Sequence, residues 1–251
     1  MNIPVLILAG SRDGERDPLA RMGQVSHKAL LPIANSPMIE RVLHTLEQVP
    51  GIGPIWVSIE QPGLLSHLGD RITLLRSAPS PSESVAQALD AIGTPCLVTT
   101  ADHALLRPEW VKEFIEKSRT ANVDLTAGVA LKETILRDVP QTKRTYIRLA
   151  DIQFSGCNLF WLATPQAKAV VALWQRLQRY RKQPLRMAMI LGLPTILRTL
   201  THTLSSRRLE ERIHALTGAR IRLIPLSDGR AAVDVDKPAD AALAEQLLSH
   251  P

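Results

Sequence analysis

The sequence is poor in cysteine and in aromatic residues. Two of its 251 residues are Cys, Cys96 and Cys157, and only 4% are Phe, Trp or Tyr. Both cysteines fall inside apolar runs that read as strands, so they are expected to be buried free thiols in a reducing cytoplasm. Scarce aromatics leave few stacking platforms for single-stranded nucleic acid. No charge-free apolar stretch of about 18 residues occurs, so no helix is expected to span a membrane. The opening MNIPVLILAG has no basic segment before its apolar run and no small-residue cleavage site, so it does not read as a secretion signal. Gly10-Ser11-Arg12-Asp13-Gly14 lacks the G-x-G-x-x-G spacing of a dinucleotide fold. No Ser-His-Asp set or cysteine nucleophile stands out.

What is present is a basic, core-forming chain. Its formal net charge is +6 and 45% of its residues are hydrophobic. Length and composition fit one substantial α/β domain, residues 1–251. A positive balance suits anionic partners such as nucleotides and phosphate esters, while the dispersal of the basic residues argues against nucleic acid.

The chain reads as organised around its first turn. Ile3 to Ala9 is a continuous branched apolar run ending at Gly10, the pattern of a buried parallel strand. It opens into a loop with Ser11, Arg12 and Arg21 and reaches Lys28. Backbone N–H groups and guanidinium forks both match phosphate oxygens. Pro37 to Val49 has helical periodicity, with Ser36 as N-cap and Pro37 at the first helical position. Pro54–Ile59, a short helix or turn at Gly63–Leu68, and a strand at Arg71–Leu75 continue a β-α-β-α-β pattern, the start of a doubly wound sheet. Ser80 and Glu83 have capping-box spacing before Val85, Ala88, Leu89 and Ile92. Ser84 either sits in a well-capped helix or faces a nucleotide from that helix N-terminus.

Cys96 to Thr100 is a further buried strand that ends at Ala101-Asp102. A carboxylate at the carboxyl end of a parallel strand lies where open α/β sheets bind ligands, and Mg²⁺ takes one or two carboxylates plus substrate phosphates. A helix starts at Pro108 and a strand runs over Asp124–Leu131. Thr145–Leu149 and Cys157–Leu162 read as an antiparallel pair, with Gly156 and Asn158 along the second. A buried amide needs partners, so Asn158 either ties strands together or contacts substrate. Lys143, Arg144 and Arg148 make a basic cluster that is a solvated edge or a grip on an anion. Residues 164–218 read as a helical insertion, for packing or as a lid in preference to a membrane-surface patch. Arg220–Leu226 and Ala231–Asp236 read as strands, followed by a helix from Pro238. On a strand, Asp234 and Asp236 point to one side and would complete a Mg²⁺ site with Asp102, although an N-cap role would account for Asp236 alone.

These motifs resemble the MobA-like nucleotidyltransferases. LAG with an Arg/Gly loop, Lys28 in KALLPIANSPMIERVL, SESVAQAL, LVTTADHALL, SGCNLFWL and DVDKPADAALAE occur in that family's order. The chain departs from it at Gly10-Ser11, where Gly-Gly is usual, at the late Lys28 and at Ala101-Asp102-His103-Ala104. The resemblance implies a Rossmann-like (GT-A type), mostly parallel sheet with helices on both faces. It implies Mg²⁺-dependent transfer of an NMP unit from an NTP, CTP or GTP, to a phosphorylated small-molecule or lipid-precursor acceptor, with pyrophosphate release. Ala9, Gly10, Ser11, Arg12, Arg21, Lys28 and Ser84 would bind nucleotide. Lys28, Arg12 and Asp102 would act in catalysis, Asp102, Asp234 and Asp236 on metal, and Gly156, Asn158 and Arg144 on acceptor. Two other readings stand beside it: a GT-A type glycosyltransferase using a nucleotide sugar, and a non-catalytic nucleotide-binding protein. Lys28 behind an arginine-bearing loop favours a triphosphate.

Overall fold

The computed structural model describes residues 2–11, 13–180 and 183–249. Strand β1 (Ile3–Leu8) lies at the centre of the molecule, hydrogen-bonded on one side to β4 (Ile52–Ile59) and on the other to β6 (Cys96–Thr100), all parallel. Strand β5 (Thr73–Arg76) extends the β4 side in parallel. On the β6 side come β9 (Gln153–Leu162), antiparallel to both neighbours, then β7 (Leu125–Leu131) and the parallel β10 (Ile221–Pro225). A two-residue strand, β8 (Ile147–Arg148), pairs with the start of β9. The result is the expected mixed, mostly parallel sheet with helices on both faces.

Alternation of side chains partitions β1 between two cores. Val5 and Ile7 join a large cluster with Met38, Leu43 and Leu46 of α2 (Met38–Glu47) and Val111 and Phe114 of α4 (Pro108–Ala121). Leu6 turns to the opposite face, where Val85, Ala88 and Leu89 of α3 (Pro81–Ile92) and Val171 of α6 (Ala167–Arg179) cover it. A Leu or Ile buried this completely contributes about 1.5–3 kcal/mol, which accounts for the uninterrupted apolar run. Helices α1 (Pro18–Gly23) and α10 (Pro238–Ser249) flank the large core, and α5 (Lys132–Asp138) follows β7 directly. Cys96 and Cys157 are buried free thiols. Burial raises the thiol pKa of both, Cys96 to about 12.

Three local expectations change. Ser36 does not cap α2: Ser36–Pro37 (β3) pairs with Pro32–Ile33 (β2) in a small hairpin. Its turn residues Ala34 and Asn35 both have positive φ, as a tight two-residue turn requires. Cys157–Leu162 pairs with β6 and β7, and only Gln153 and Phe154 meet β8. Residues 231–236 are not a strand but the end of a 3₁₀ turn (Gly229–Ala232) and an extended segment, joined to the β6 end by Val235 N–H donating to the Asp102 carbonyl at 2.9 Å. Residues 164–218 carry α6, α7 (Pro184–Leu191), α8 (Leu193–Leu200) and α9 (Ser206–Thr217). No helix of the described residues is long and apolar enough to cross a membrane.

The turn at 229 is held tightly. Gly229 N–H donates to Asp138 Oδ2 at 2.8 Å, and a Cβ at Gly229 would come within 2.5 Å of the Thr134 carbonyl oxygen and 2.6 Å of Ile135 Cα. These are backbone atoms that cannot swing away. Gly229→Ala is therefore expected to cost about 1–3 kcal/mol, read as a drop in Tm of about 2–10 °C by calorimetry; an unchanged Tm would show that the turn yields freely.

Candidate active site

The order of connections reverses beside β1: the chain passes from β1 to β4 and β5, then returns to β6 on the other side of β1. Such a switch point leaves a crevice at the carboxyl edge of the sheet. A pocket of about 420 Å³ opens there. Its walls come from the β1 exit (Leu8, Gly10, Ser11), the loop beyond (Asp13, Asp17, Lys28), the β4 exit (Ser58, Glu60), Ser77–Pro81 and Ser84 ahead of and within α3, and Thr100, Asp102 and Asp236.

Lys28 Nζ lies 3.2 Å from Asp102 Oδ2, both side chains less than a fifth exposed. Burial works against the ammonium. The Asp102 carboxylate outweighs it, with Asp236 and Asp17 farther off, so the Lys28 pKa stands above its ordinary value and the side chain is charged at neutral pH. The second oxygen, Asp102 Oδ1, is buried with no hydrogen-bond partner among the described residues, as are Thr100 Oγ1 and Ser77 Oγ on the same pocket. Buried polar atoms of this kind are uncommon, and each calls for a partner such as a water or an ion.

Asp234 stands beside the pocket rather than on its wall. Arg144 Nη2 donates to Asp234 Oδ1, and Asn158 Nδ2 donates to Oδ2 at 2.9 Å. Asn158 reaches it from a bulge in β9, with φ at 50°. Asp236, exposed at the pocket rim, has no hydrogen bond to its carboxylate among the described residues. Its pKa is raised by partial desolvation first and then by Asp234 and Asp102, with Lys28 and Arg144 opposing. The start of α10 is organised instead by buried Asp240, whose Oδ2 accepts the Asp236 and Lys237 N–H groups at 3.2 Å. Asp236 is thus not consumed as a cap. Among the described residues no three His, Cys, Asp or Glu side chains form a preassembled metal cluster.

The other expected site residues divide. Gly10, Ser11, Lys28 and Ser84 line the pocket. Ala9 is buried in the core, and Arg21 is exposed on α1 away from the pocket walls. Arg12 lies outside the described residues. Gly156 and Asn158 lie within β9, and Arg144 is committed to Asp234. Ser84 Oγ accepts the Ala78 N–H at 2.9 Å, and Ser80 caps α3 through the Glu83 N–H.

Glu60 and His27 are missing from the sequence reading. Glu60 Oε1 accepts the Ser11 N–H, and Oε2 lies 3.2 Å from His27 Nε2. His27 Nδ1 accepts the Ala29 N–H at 3.1 Å, so the ring proton sits on Nε2 and is donated to Glu60. Burial holds the His27 pKa below its ordinary value against the pull of Glu60, which keeps the ring neutral at pH 7. The signal for Glu60 was available: like Asp102, it lies at the carboxyl end of an apolar parallel strand. His103 is fully buried, feels the charges of Asp234 and Asp102, and stacks on Trp110 with centroids 6.1 Å apart. Desolvation lowers its pKa to about 4, so it is neutral.

A family model described as MobA-like NTP transferase domain matches residues 5–222. Among solved structures, a hypothetical transferase from Thermus thermophilus superposes with a TM-score of 0.82 at 29% identity, covering 96% of this chain and 100% of that one. CMP:2-keto-3-deoxy-manno-octonic acid synthetase complexed with CTP gives 0.62 at 15% identity, covering 99% of each chain. The 2-C-methyl-D-erythritol 4-phosphate cytidylyltransferase of Thermus thermophilus gives 0.56 at 17% identity, covering 99% of this chain and 100% of that one. At those identities the last two are alike in fold. Comparison with curated proteins gives no significant match.

The raised pKa of Asp236 fixes a sign for stability. The folded state binds this proton more tightly than the unfolded chain, so the group favours folding at low pH and opposes it as pH rises through the raised value. Asp236→Asn is expected to raise Tm at pH 7 by roughly 1–3 °C, with the gain vanishing near pH 4. A lower Tm for the variant at pH 7 would show that the carboxylate is stabilised rather than penalised by its neighbours.

Proposed function

The chain belongs to the MobA-like NTP transferase family, and from that premise we propose that it is a Mg²⁺-dependent nucleotidyltransferase acting on CTP or GTP and a phosphorylated acceptor. The observation that carries this is the convergence of Lys28, Asp102 and Asp236 on one pocket at the switch point of the sheet. In this reading the nucleoside lies toward Ser58, Glu60 and Ser77–Ser84, and the phosphates toward Lys28 and Asp102. A phosphate oxygen of the acceptor forms a bond to the α-phosphorus. The bond from the α-phosphorus to the bridging oxygen breaks, and pyrophosphate departs with the electron pair. Chemistry of this kind is served by positioning and charge stabilisation rather than by a covalent nucleophile.

The pocket walls support a divalent cation. Among the described residues they carry five carboxylates, Asp13, Asp17, Glu60, Asp102 and Asp236, against one ammonium, Lys28. A polyanionic triphosphate is repelled by such a wall unless cations accompany it. Asp102, whose Oδ1 has no partner among the described residues, and Asp236 have the hard oxygen donors that suit Mg²⁺. When bound, the metal supplies positive charge to the phosphate oxygens. Lys28 supplies a second, fixed positive charge that Asp102 orients and keeps protonated. Arg144 and Asn158 hold Asp234 on the acceptor side, so Asp234 positions the acceptor strand and is the least available of the three acids.

The test is a thermal-shift screen of the four NTPs, followed by pyrophosphate release with candidate phosphate acceptors. One nucleotide, CTP or GTP, is expected to raise Tm with Mg²⁺, by linkage, and to lose that effect in EDTA. Lys28→Ala is expected to lower kcat/KM by about 10²–10³-fold. Equal stabilisation by NTP with and without a divalent cation, or an unimpaired Lys28→Ala enzyme, would defeat the proposal.

A further inference from the structure

A second cavity, of about 320 Å³, lies on the α3–α6 face of the sheet. Its walls are Leu8 of β1, Val85 of α3, Val98 of β6, Leu125 and Ala127 of β7, Phe160 and Leu162 of β9, and Val170, Val171 and Trp174 of α6. Every one of these side chains is apolar. A concave, wholly apolar lining of this kind selects an apolar occupant. Trp174 is 39% exposed, so the cavity reaches the surface beside it.

The position is as informative as the lining. Leu8 belongs to the walls of both this cavity and the charged pocket. Val85 directly follows Ser84, and Val98 precedes Thr100 by two residues on the same strand, with Ser84 and Thr100 on the charged pocket. The two spaces abut at the carboxyl end of β1. Phe160 continues the strand that presents Asn158 toward Asp234. An acceptor whose phosphate lies beside the NTP phosphates, between them and Asn158, therefore has an apolar compartment on the other side of Leu8.

Resting on the reading that a phosphorylated acceptor reacts here, we propose that the acceptor is an amphiphile, a phosphate monoester of a linear or isoprenoid-like chain, and that this cavity takes the chain. The step is unchanged: the phosphate oxygen of the monoester bonds to the α-phosphorus and pyrophosphate leaves. The cavity holds roughly ten water volumes of about 30 Å³ each, enough for a chain of medium length. The next helices carry Met189, Leu193, Leu197 and Leu200 in exposed positions alongside Arg186 and Arg198. These side chains form a separate apolar and cationic surface outside the cavity lining, and the experiment distinguishes the two.

The experiment titrates n-alkyl phosphates of two to twelve carbons, below their critical micelle concentrations, into the full chain by calorimetry without NTP. Affinity is expected to rise about fourfold per added methylene, following about 0.8 kcal/mol per buried CH₂, and to level off once the cavity is filled. Ala127→Leu and Val170→Phe, which fill the cavity from a strand and from a helix, are expected to flatten that dependence. They should leave the NTP-induced thermal shift and turnover of a two-carbon phosphate unchanged. A wild-type affinity independent of chain length, or an undiminished chain-length dependence in both variants, would overturn the proposal. So would binding that appears only with vesicles containing a long alkyl phosphate and is lost in Leu197→Ser but not in the filling variants, because the apolar recognition would then lie on α8. Chain-length-dependent binding without pyrophosphate release from any NTP would uphold the cavity while removing the nucleotidyltransfer reading, so the two can fail separately.

Discussion

Like charges that must share a small space govern this structure. Asp102, Asp234 and Asp236 act on one another electrostatically at the carboxyl edge of the sheet, and each is handled differently. Asp102 is paired with Lys28, Asp234 is held by Arg144 and Asn158, and Asp236 is left with a raised pKa. A carboxylate in such company is stable only with a cation or a hydrogen-bond donor beside it, or by giving up part of its charge. Fully compensated, all three would be structural. The compensation of Asp102 and Asp236 is incomplete among the described residues, and the proposed cation would complete it.

The architecture delivers that cluster. Parallel strands β1 and β6 bring Lys28 and Asp102 into range because their carboxyl ends lie side by side, in a register that sets Leu8 opposite Thr100. The antiparallel β9 inserted between β6 and β7 runs the other way, and its bulge presents Asn158 to Asp234. The Gly229 turn, packed against α5 without room for a side chain, sets the path of residues 233–236. The donors come from widely separated parts of the chain, but each rests on an element locked by core packing.

Much of this was legible in the residues. The apolar run at Ile3 had one reasonable home, a central buried strand, and a carboxylate directly after a second such run marked the ligand edge. Legibility failed where pairing was non-local. Ser36-Pro37 has the local chemistry of a helix start, yet Ala34 and Asn35 accept positive φ and close a hairpin. AAVDVD alternates like a strand, but the segment finds no ladder and makes one bond to the β6 end. Glu60 stands at a strand end like Asp102, but its engagement with Ser11 and His27 depends on where the first loop folds.

Order, polarity and period belong to the sequence alone: a doubly wound α/β chain, a cationic loop after the first strand, strand-end acids, buried free thiols and a helical stretch near 164–218. These depend on neighbours along the chain, where side-chain periodicity and strand-end position act directly. Which acids are paired and which are left free, which serines cap and which face the pocket, and that an apolar cavity shares Leu8 with the charged one were decided by tertiary contact. Charge compensation and desolvation are sums over groups brought together in space, and no stretch of chain contains those sums.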